Sequence, residues 1–233
     1  MISLCSTLPE ISADSAELLK IKCLFDSYKT DNAVLFWCSE DNDTVISLTS
    51  SNMIIYNRNR SAEVLEELKE FAEVINPVSI YSDYETLCAI DKKPYEAVNV
   101  MSRKADIEGK PQGDVLSSKE IYALLDVEGL SLPSYPDFAV DYCRRLNHGF
   151  ANYFAIKGKC AVITFNSGEN AIINGIASHS KGYGRIALCS ALQLNYGKTL
   201  YVCCRDKVKG FYEKQGFLPL YKGGYWVKNY EHK

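Results

Sequence analysis

The segment from Lys181 to Phe217, "KGYGRIALCSALQLNYGKTLYVCCRDKVKGFYEKQGF", carries the strongest structural signal in the sequence. It opens with two glycines that one residue separates, and apolar residues at helical spacing follow in "GRIALCSALQLNYG". A β-rich run, "KTLYVCCRD", comes next, and a second helical stretch, "KVKGFYEKQG", stops at a glycine. The pattern predicts a helix, a strand and a second helix in direct succession.

The turn before the first of these helices, "KGYGR", has the composition of an anion site. A helix start carries four unpaired N–H groups and a partial positive charge. Gly182 and Gly184 would let the backbone approach a bulky anion, and Lys181 and Arg185 add formal charge. These residues predict a pyrophosphate site. The alternative is a turn that only needs flexible residues, and the segment matches neither the dinucleotide-binding fingerprint nor a Walker loop.

Charge is unevenly distributed along the chain. The range 181–233 holds ten Lys and Arg against three Asp and Glu, a balance of +7, while 1–180 holds sixteen against twenty-six, a balance of −10. The resulting net charge of −3 argues against a general nucleic-acid binder. The basic last quarter favours a site for an anionic ligand, and the alternative is a chance segregation of solvated charges.

Length and composition are typical of a globular protein. With 233 residues, 47% of them hydrophobic, the chain can form one large domain or two small ones. No apolar run approaches the roughly 18 residues of a membrane span, and the first residues lack a secretory pattern, so we expect a cytoplasmic protein that does not enter a membrane. The nine cysteines include no CxxC pair and only three histidines are present, so we expect reduced thiols and no zinc site.

Residues 1–115 have the predicted order α-β-β-α-β. A helix is predicted in "SADSAELLKIKCLFDSY" with Ser12 as its cap, and strands are predicted in "AVLFWCSE" and "TVISLTSSNMIIYN". "SAEVLEELKEFAEVIN" has the clearest helical pattern, with Ser61 as its cap and Asn76 at its end. "VSIYSDYETLCAI" is a predicted strand, and "SRKADIEGKPQGDVLSS" is the predicted linker or long loop.

Residues 116–233 have the predicted order α-α-β-β-β-α-β-α-β-β. Helices are predicted in "SSKEIYALLDVE" and "PDFAVDYCRRLNHG", and strands in "FANYFAIK", "KCAVITFNS" and "NAIINGIAS". "GFLPLYK" and "GYWVKNY" are predicted as a final pair of strands. The class is therefore α+β, with helices layered on a sheet. The N-terminal α/β domain is a candidate for a diverged half-copy of this second domain, at the level of element order.

The sequence resembles the GNAT superfamily of N-acetyltransferases, and it is most similar to bacterial members with a two-part chain. The resemblance is strong from about Asn170 to Phe217, where a strand, a GxG turn, a helix and a strand precede "FYEKQGF". That run matches the family's Leu/Phe-Tyr-x-Lys-x-Gly-Phe ending. The resemblance implies a GNAT-like mixed sheet flanked by helices. It also implies transfer of an acetyl group from acetyl-CoA, a cosubstrate, to a primary amine on a small molecule or peptide.

The resemblance assigns roles to individual residues. Tyr212 is the implied catalytic acid that protonates the CoA thiolate, and the alternative for it is a packed aromatic. A backbone N–H at the end of the central strand would polarise the thioester carbonyl, and the glycine turn would hold the pyrophosphate. The implied cofactor-binding residues are Ile176, Ala177, Ser178, His179, Lys181, Gly182, Tyr183, Gly184, Arg185 and Arg205.

Two features depart from the family pattern. His179 stands where the family has Gln or Arg, in a shorter link between strand and glycines, and Arg205 stands where an Asn often opens the tyrosine-bearing helix. A second hypothesis is therefore a catalytically degenerate GNAT-fold binding or regulatory module. A third is a Fem-like aminoacyl transferase, which would need a larger basic groove. The general base stays open among Glu169, His179 and water. Asp137 and Asp141, in the helix that lines the acceptor side in this family, could bind a cationic amine, and the alternative for them is a contact with the helix dipole.

Overall fold

The computed structural model describes residues 1–11, 14–31 and 34–228. These ranges contain eleven strands and seven helices. In chain order they are β1 (Ile2–Leu4), α1 (Ala16–Tyr28), β2 (Val34–Ser39), β3 (Thr44–Thr49), β4 (Asn52–Asn57), α2 (Ala62–Ile75), β5 (Ser79–Asp83), α3 (Tyr84–Ala89), β6 (Glu96–Lys104), α4 (Ser118–Leu125), α5 (Tyr135–Asn147), β7 (Ala151–Ile156), β8 (Cys160–Ser167), β9 (Asn170–Ser178), α6 (Tyr183–Leu194), β10 (Thr199–Cys204), α7 (Asp206–Glu213) and β11 (Leu218–Val227).

Two compact units make up the chain. Unit 1 comprises Met1–Met101 and Cys203–Lys233, and unit 2 comprises Ser102–Val202. Strands β6 and β10 each have residues in both units. The predicted boundary between residues 115 and 116 divides the sequence into halves rather than compact units, and it stays a prediction.

Unit 1 is a mixed sheet with the strand order β1-β2-β3-β4-β5-β11-β6. Neighbours from β1 to β4 are antiparallel, β4 and β5 are parallel, and β5 and β11 are antiparallel. Successive strand residues face opposite sides. Phe36 and Val45 therefore pack in the cluster that contains α1 residues, while Trp37 and Ile46 pack in the cluster that contains α2 and α3 residues. The sheet thus has an apolar helical layer on each face.

Unit 2 repeats the same plan. Strands β7, β8 and β9 form an antiparallel meander, β9 is parallel to β10, and α6 packs on β7, β8 and β9. The α+β prediction is confirmed. The two parallel strand pairs, β4–β5 and β9–β10, also begin in the same way. In each pair an Asn is the first paired residue: Asn52 lies opposite Ser79, and Asn170 lies opposite Thr199. Each Asn follows a two-residue turn and begins a similar tetrapeptide, "NMII" or "NAII". This register supports the half-copy prediction.

Several helix predictions agree with the structure, and one cap is different. Ser61 caps α2 by accepting a hydrogen bond from the Val64 N–H, and Asn76 ends that helix in the left-handed conformation. Ser12 lies outside the described residues. Ser15 caps α1 instead, with its side chain accepting from the Leu18 N–H at 3.2 Å.

Three predictions in residues 1–115 were wrong in part. "TVISLTSSNMIIYN" forms two strands, because Ser50 and Ser51 adopt positive φ values of 46° and 64° and make a tight hairpin turn. "VSIYSDYETLCAI" is a strand only to Asp83, whose side chain caps α3 by accepting from the Thr86 N–H. The start of the predicted linker, "SRK", instead ends strand β6, and a loop follows it up to α4.

The predicted final pair of strands is one strand, β11. Gly223 and Gly224 look like a break in the sequence, but they lie inside the strand for a packing reason. A Cβ at Gly223 would lie 3.0 Å from the Tyr81 hydroxyl oxygen, and a Cβ at Gly224 would lie 2.9 Å from Leu87 and Pro94 side-chain atoms. The two glycines therefore make room for neighbouring side chains of unit 1.

Candidate functional site

The parallel strands of unit 2 form a fork. Their pairing runs from Asn170 opposite Thr199 to Ile173 opposite Val202. Beyond Ile173, β9 continues to Ser178 and stays paired with β8, where Ser178 lies opposite Cys160. The register with β10 does not extend over this last part of β9. Backbone groups on that edge of Ile176–Ser178 are therefore available to a ligand, as an N–H that polarises a carbonyl would need to be.

A glycine turn joins β9 to α6. Gly182 is the N-cap of α6 and has a φ of +89°, a left-handed conformation that favours glycine. A Cβ at this position would have no atom within 4 Å, so the backbone angle and not crowding requires the glycine. The Tyr183 N–H donates to the Ser180 carbonyl at 3.2 Å, and the Ser178 hydroxyl donates to the same carbonyl at 2.8 Å. The turn is therefore held by its own hydrogen bonds.

The start of α6 has the electrostatics of an anion site. No side chain caps this helix, and its first turn, which lies within the described residues, contains no acidic side chain. The N–H groups of Gly184 and Arg185 point out of the first turn, where a helix supplies no acceptor. Lys181 and Arg185 are exposed beside them. This arrangement can receive an anion through backbone N–H groups, the helix dipole and formal charge together.

A further cation belongs to this turn, and sequence reasoning missed it. The Lys159 ammonium lies 5.8 Å from the centroid of the Tyr183 ring, and the Lys159 carbonyl accepts from the His179 N–H at 2.8 Å. Lys159 directly precedes β8, whose first residue, Cys160, pairs with Ser178. The pairing of "KCAVITFNS" with "NAIINGIAS" as a hairpin was the signal that could have placed Lys159 beside the turn.

His179 is fixed against the end of α4. Its Nε2 lies 2.8 Å from the carbonyl oxygen of Leu124. A carbonyl only accepts, so Nε2 donates its N–H in this contact. The contact thus orients the ring and leaves Nδ1 as the nitrogen that it does not engage.

The acidic candidate residues, the possible base Glu169 and the possible amine-binding residues Asp137 and Asp141, have local structural partners or lie in solvent. Asp137 accepts a hydrogen bond from the Ser134 hydroxyl at 2.6 Å, in the first turn of α5. Asp141 lies one helical turn before Arg145 and accepts a hydrogen bond from its Nε at 2.8 Å. Glu169 is exposed in the hairpin turn, and its carbonyl accepts from the Thr199 N–H. The contacts of Asp137 and Asp141 are those expected of residues that stabilise a helix.

Tyr212 lies on α7 in unit 1. Only 4% of its surface is exposed, and its ring packs edge-to-face against Phe211 and Phe217 with centroids 5.2 Å and 5.5 Å away. Burial raises the pKa of Tyr212 above that of an exposed tyrosine, and the neighbouring thiols of Cys204 and Cys203 raise the pKa further. The hydroxyl therefore carries its proton at neutral pH and is a weaker acid than that of an exposed tyrosine.

Arg205 is the N-cap of α7 and holds a carboxylate. The Arg205 Nε donates to one carboxylate oxygen of Glu96, and a terminal guanidinium nitrogen donates to the other oxygen at 3.1 Å. Such a two-pronged pair fixes the guanidinium plane. A cofactor contact from Arg205 stays a prediction, and a phosphate there would have to share the arginine with Glu96.

Comparisons with known proteins fit this geometry. Neither the family models nor the curated proteins give a match. Among solved structures, a GCN5-related N-acetyltransferase from Sphaerobacter thermophilus is 11% identical with a TM-score of 0.55, covering 94% of this chain and 96% of its own. A tandem GNAT protein from the clavulanic acid biosynthesis pathway is 9% identical with a TM-score of 0.53, covering 97% and 98%.

At these identities the likeness concerns the fold. It confirms the GNAT resemblance at that level, and the tandem protein shows that the fold occurs in a two-part chain of matching length. Over the described ranges, no helix combines the length and the apolar character that crossing a membrane requires.

Proposed function

We propose that this chain, which has the fold of the GCN5-related N-acetyltransferases, transfers an acetyl group from acetyl-CoA to a primary amine. The observation that carries the proposal is the start of α6, where a left-handed glycine cap, no side-chain cap and exposed basic residues follow a forked parallel pair of strands. A phosphate group is an anion that such a helix start can bind, and the pyrophosphate of acetyl-CoA would supply one.

The proposed binding step uses the turn. The N–H groups of Gly184 and Arg185 donate to pyrophosphate oxygens, and the charges of Lys181, Arg185 and Lys159 attract them. A backbone N–H in Ile176–Ser178 donates to the thioester oxygen as negative charge develops on it. These donors are fixed by strand pairing and by the turn, so little reorganisation is needed when the ligand binds.

The proposed chemical step is a direct transfer. The free amine attacks the thioester carbonyl, the C–S bond breaks, and the CoA thiolate takes a proton. Tyr212 is the proposed donor of that proton, in the role that the family resemblance implies for it. The proton that the amine loses passes to water or to His179 Nδ1, which the Leu124 contact leaves available.

A non-catalytic CoA-binding module is the second candidate function. The burial of Tyr212, at 4% exposed, and the engagement of Arg205 with Glu96 favour it. Both candidates require CoA binding, so the distinction lies in turnover.

The test measures binding and turnover separately. A thermal-shift titration with acetyl-CoA should raise the unfolding midpoint, since ligand at 100-fold over Kd stabilises a protein by about 2.7 kcal/mol. Release of free CoA thiol in the presence of a panel of primary amines then measures transfer. Binding with amine-dependent thiol release supports the enzyme. Binding with thiol release that no amine increases supports the module, and no midpoint shift contradicts both.

A further inference from the structure

Two thiols meet at the start of unit 1. Cys5 directly follows β1, and Cys38 lies in β2 and is 8% exposed. Their Sγ atoms are 2.8 Å apart, compared with about 2.05 Å in a disulfide bond. Both side chains belong to the cluster under α1, Cys38 as a buried member and Cys5 as a partly buried one.

Backbone hydrogen bonds fix this approach. The β1–β2 register places Ile2 opposite Ser39 and Leu4 opposite Trp37. Past the end of β1, the Cys5 N–H still donates to the Phe36 carbonyl at 2.9 Å. The chain therefore stays attached to β2 where Cys5 leaves the strand, and the proximity of the thiols follows from strand pairing.

We propose that Cys5 and Cys38 form a reversible disulfide that fastens β1 to β2. The oxidant is a low-molecular-weight disulfide such as oxidised glutathione. The Cys5 thiolate attacks it, which forms a mixed disulfide and releases one glutathione. The Cys38 thiolate then attacks the Cys5 sulfur and releases the second glutathione. The protein loses two electrons and two thiol protons, and one glutathione disulfide becomes two glutathione molecules.

The structure assigns the order of these attacks. Cys5 is the more exposed of the two thiols, so it meets the external disulfide first. Burial raises the pKa of both thiols, and the contact with Cys5 helps to raise that of Cys38 to about 12. Little thiolate is present at neutral pH, so the first attack is slow, whereas the second benefits from the short distance between the sulfur atoms.

The disulfide would secure an otherwise weakly attached strand. β1 has three residues and lies at the end of the unit 1 strand order, an edge position. Noncovalent contacts to Glu67, from the Ile2 N–H and the chain's amino group, help to hold it. A cross-link between Cys5 and Cys38 would close a loop that contains α1, and closing a loop of this length should raise the unfolding midpoint by roughly 5–10 °C.

The test is a non-reduced peptide map after incubation with oxidised glutathione and alkylation of the remaining thiols. We expect one dominant cross-link that joins the peptides of Cys5 and Cys38, that has lost two hydrogens and that a reductant reverses. Cys5→Ser should abolish this cross-link and the midpoint rise. Cys88→Ser, which removes an exposed thiol in α3, should keep both.

Other cross-linked pairs, with Cys5 and Cys38 recovered as alkylated thiols, would overturn the proposal. A product in which Cys5 and Cys38 each carry only glutathione would also overturn it. The map of the parent protein decides the matter even if a variant does not fold.

Discussion

The two parallel crossovers of this chain, β4–α2–β5 and β9–α6–β10, share a topology and differ at the helix start. Ser61 caps α2 with its side chain, and Glu63 adds a negative charge to its first turn. Gly182 caps α6 with backbone alone, and basic residues flank it. At the start of α2 a side chain of the helix's own cap accepts a hydrogen bond from a backbone N–H, whereas at the start of α6 no side chain does so and the N–H groups can bind a ligand. A shared fold therefore does not imply a shared ligand site.

The ends of the two parallel strand pairs also differ in what lies beside them. In unit 1 the β4–β5 pairing ends where Ile54 lies opposite Tyr81. The Lys20 ammonium lies 3.5 Å from the centroid of the Tyr81 ring and donates to the Tyr225 hydroxyl at 3.0 Å, and the Tyr225 ring is 4.6 Å from that of Tyr81. The end of this parallel pair is thus packed with side chains of the same unit.

The helices after each crossover show a third difference. Tyr212 follows the N-cap of α7, Arg205, by seven positions. Ile90 stands at the same distance from the N-cap of α3, Asp83, and it is fully buried. An aliphatic side chain cannot donate a proton. The N-terminal half therefore has the character of a scaffold, and the comparison predicts that ligand binding and chemistry depend on residues of the C-terminal half.

The largest expected effect is on turnover in Tyr212→Phe. The change deletes one oxygen and keeps the ring packing, so acetyl-CoA affinity should be unchanged. Loss of a general acid should lower the transfer rate by about 10²–10⁴-fold, which thiol release measures. Tyr196→Phe removes an exposed hydroxyl that donates to Glu108 and should keep full turnover. Full turnover in Tyr212→Phe would mean that Tyr212 is only a packed aromatic.

Gly184→Val should weaken acetyl-CoA binding by about 100-fold, since a charged hydrogen bond contributes about 1.5–3 kcal/mol. The branched side chain would cover the N–H groups at the start of α6. Glu63→Val alters the same position of α2, the second helical residue, and should leave the affinity unchanged. Equal losses in the two variants would remove the distinction between the two crossovers.

Charge should contribute less than backbone contacts. Lys181→Gln with Arg185→Gln should lower acetyl-CoA affinity by roughly 5–10-fold at low salt, and the affinity of the double variant should depend less on salt than that of the parent. The matched change in the N-terminal half is Arg58→Gln, which removes an arginine paired with Asp14 at 3.3 Å. That change should have no effect, and a parent affinity that is flat across salt would argue against any role for the charges.

The smallest expected effect is a pH dependence of stability that Glu17 causes in α1 of unit 1. Burial raises the pKa of Glu17 above its usual value, although a hydrogen bond from Tyr221 and the charge of Lys20 act to lower it. The folded state therefore keeps this proton at pH values where the unfolded state has lost it. Stability should fall as pH rises from the ordinary glutamate pKa through the raised one, by about 1.4 kcal/mol for each unit of displacement.

Glu17→Gln should flatten this part of the stability curve, because glutamine does not ionise. The exposed Glu70→Gln in α2 is the control and should leave the curve as in the parent. Denaturant melts across the acidic and neutral range measure both. The same slope in Glu17→Gln and in the parent would show that another group titrates.

Local signals predicted what lies close together in sequence. The Ser61 cap and the GxG turn before α6 follow from neighbouring residues, and the structure has both. The positive φ of Ser50 and Ser51 and the strand through Gly223 and Gly224 depend on a turn geometry and on side chains from elsewhere. Periodicity carries no information about such contacts.

The contacts that Glu17 and Lys20 make with tyrosines of β11 could not be predicted for the same reason. Glu17 lies within hydrogen-bond reach of Tyr221, and Lys20 of Tyr225, although each pair is more than two hundred residues apart in sequence. The pairing of β11 with β5, in which Tyr225 lies opposite Tyr81, and the packing of α1 on β4 and β5 together bring these residues close. In the sequence, Glu17 and Lys20 look like ordinary charges on a surface helix.

Calorimetric titration of the parent protein with acetyl-CoA tests the central claim most directly, because it counts the sites. If only the C-terminal crossover receives the pyrophosphate, the titration should saturate at one acetyl-CoA per chain. Two molecules per chain would show that the N-terminal crossover binds as well, and the absence of any binding heat at several temperatures would contradict the account of the α6 turn.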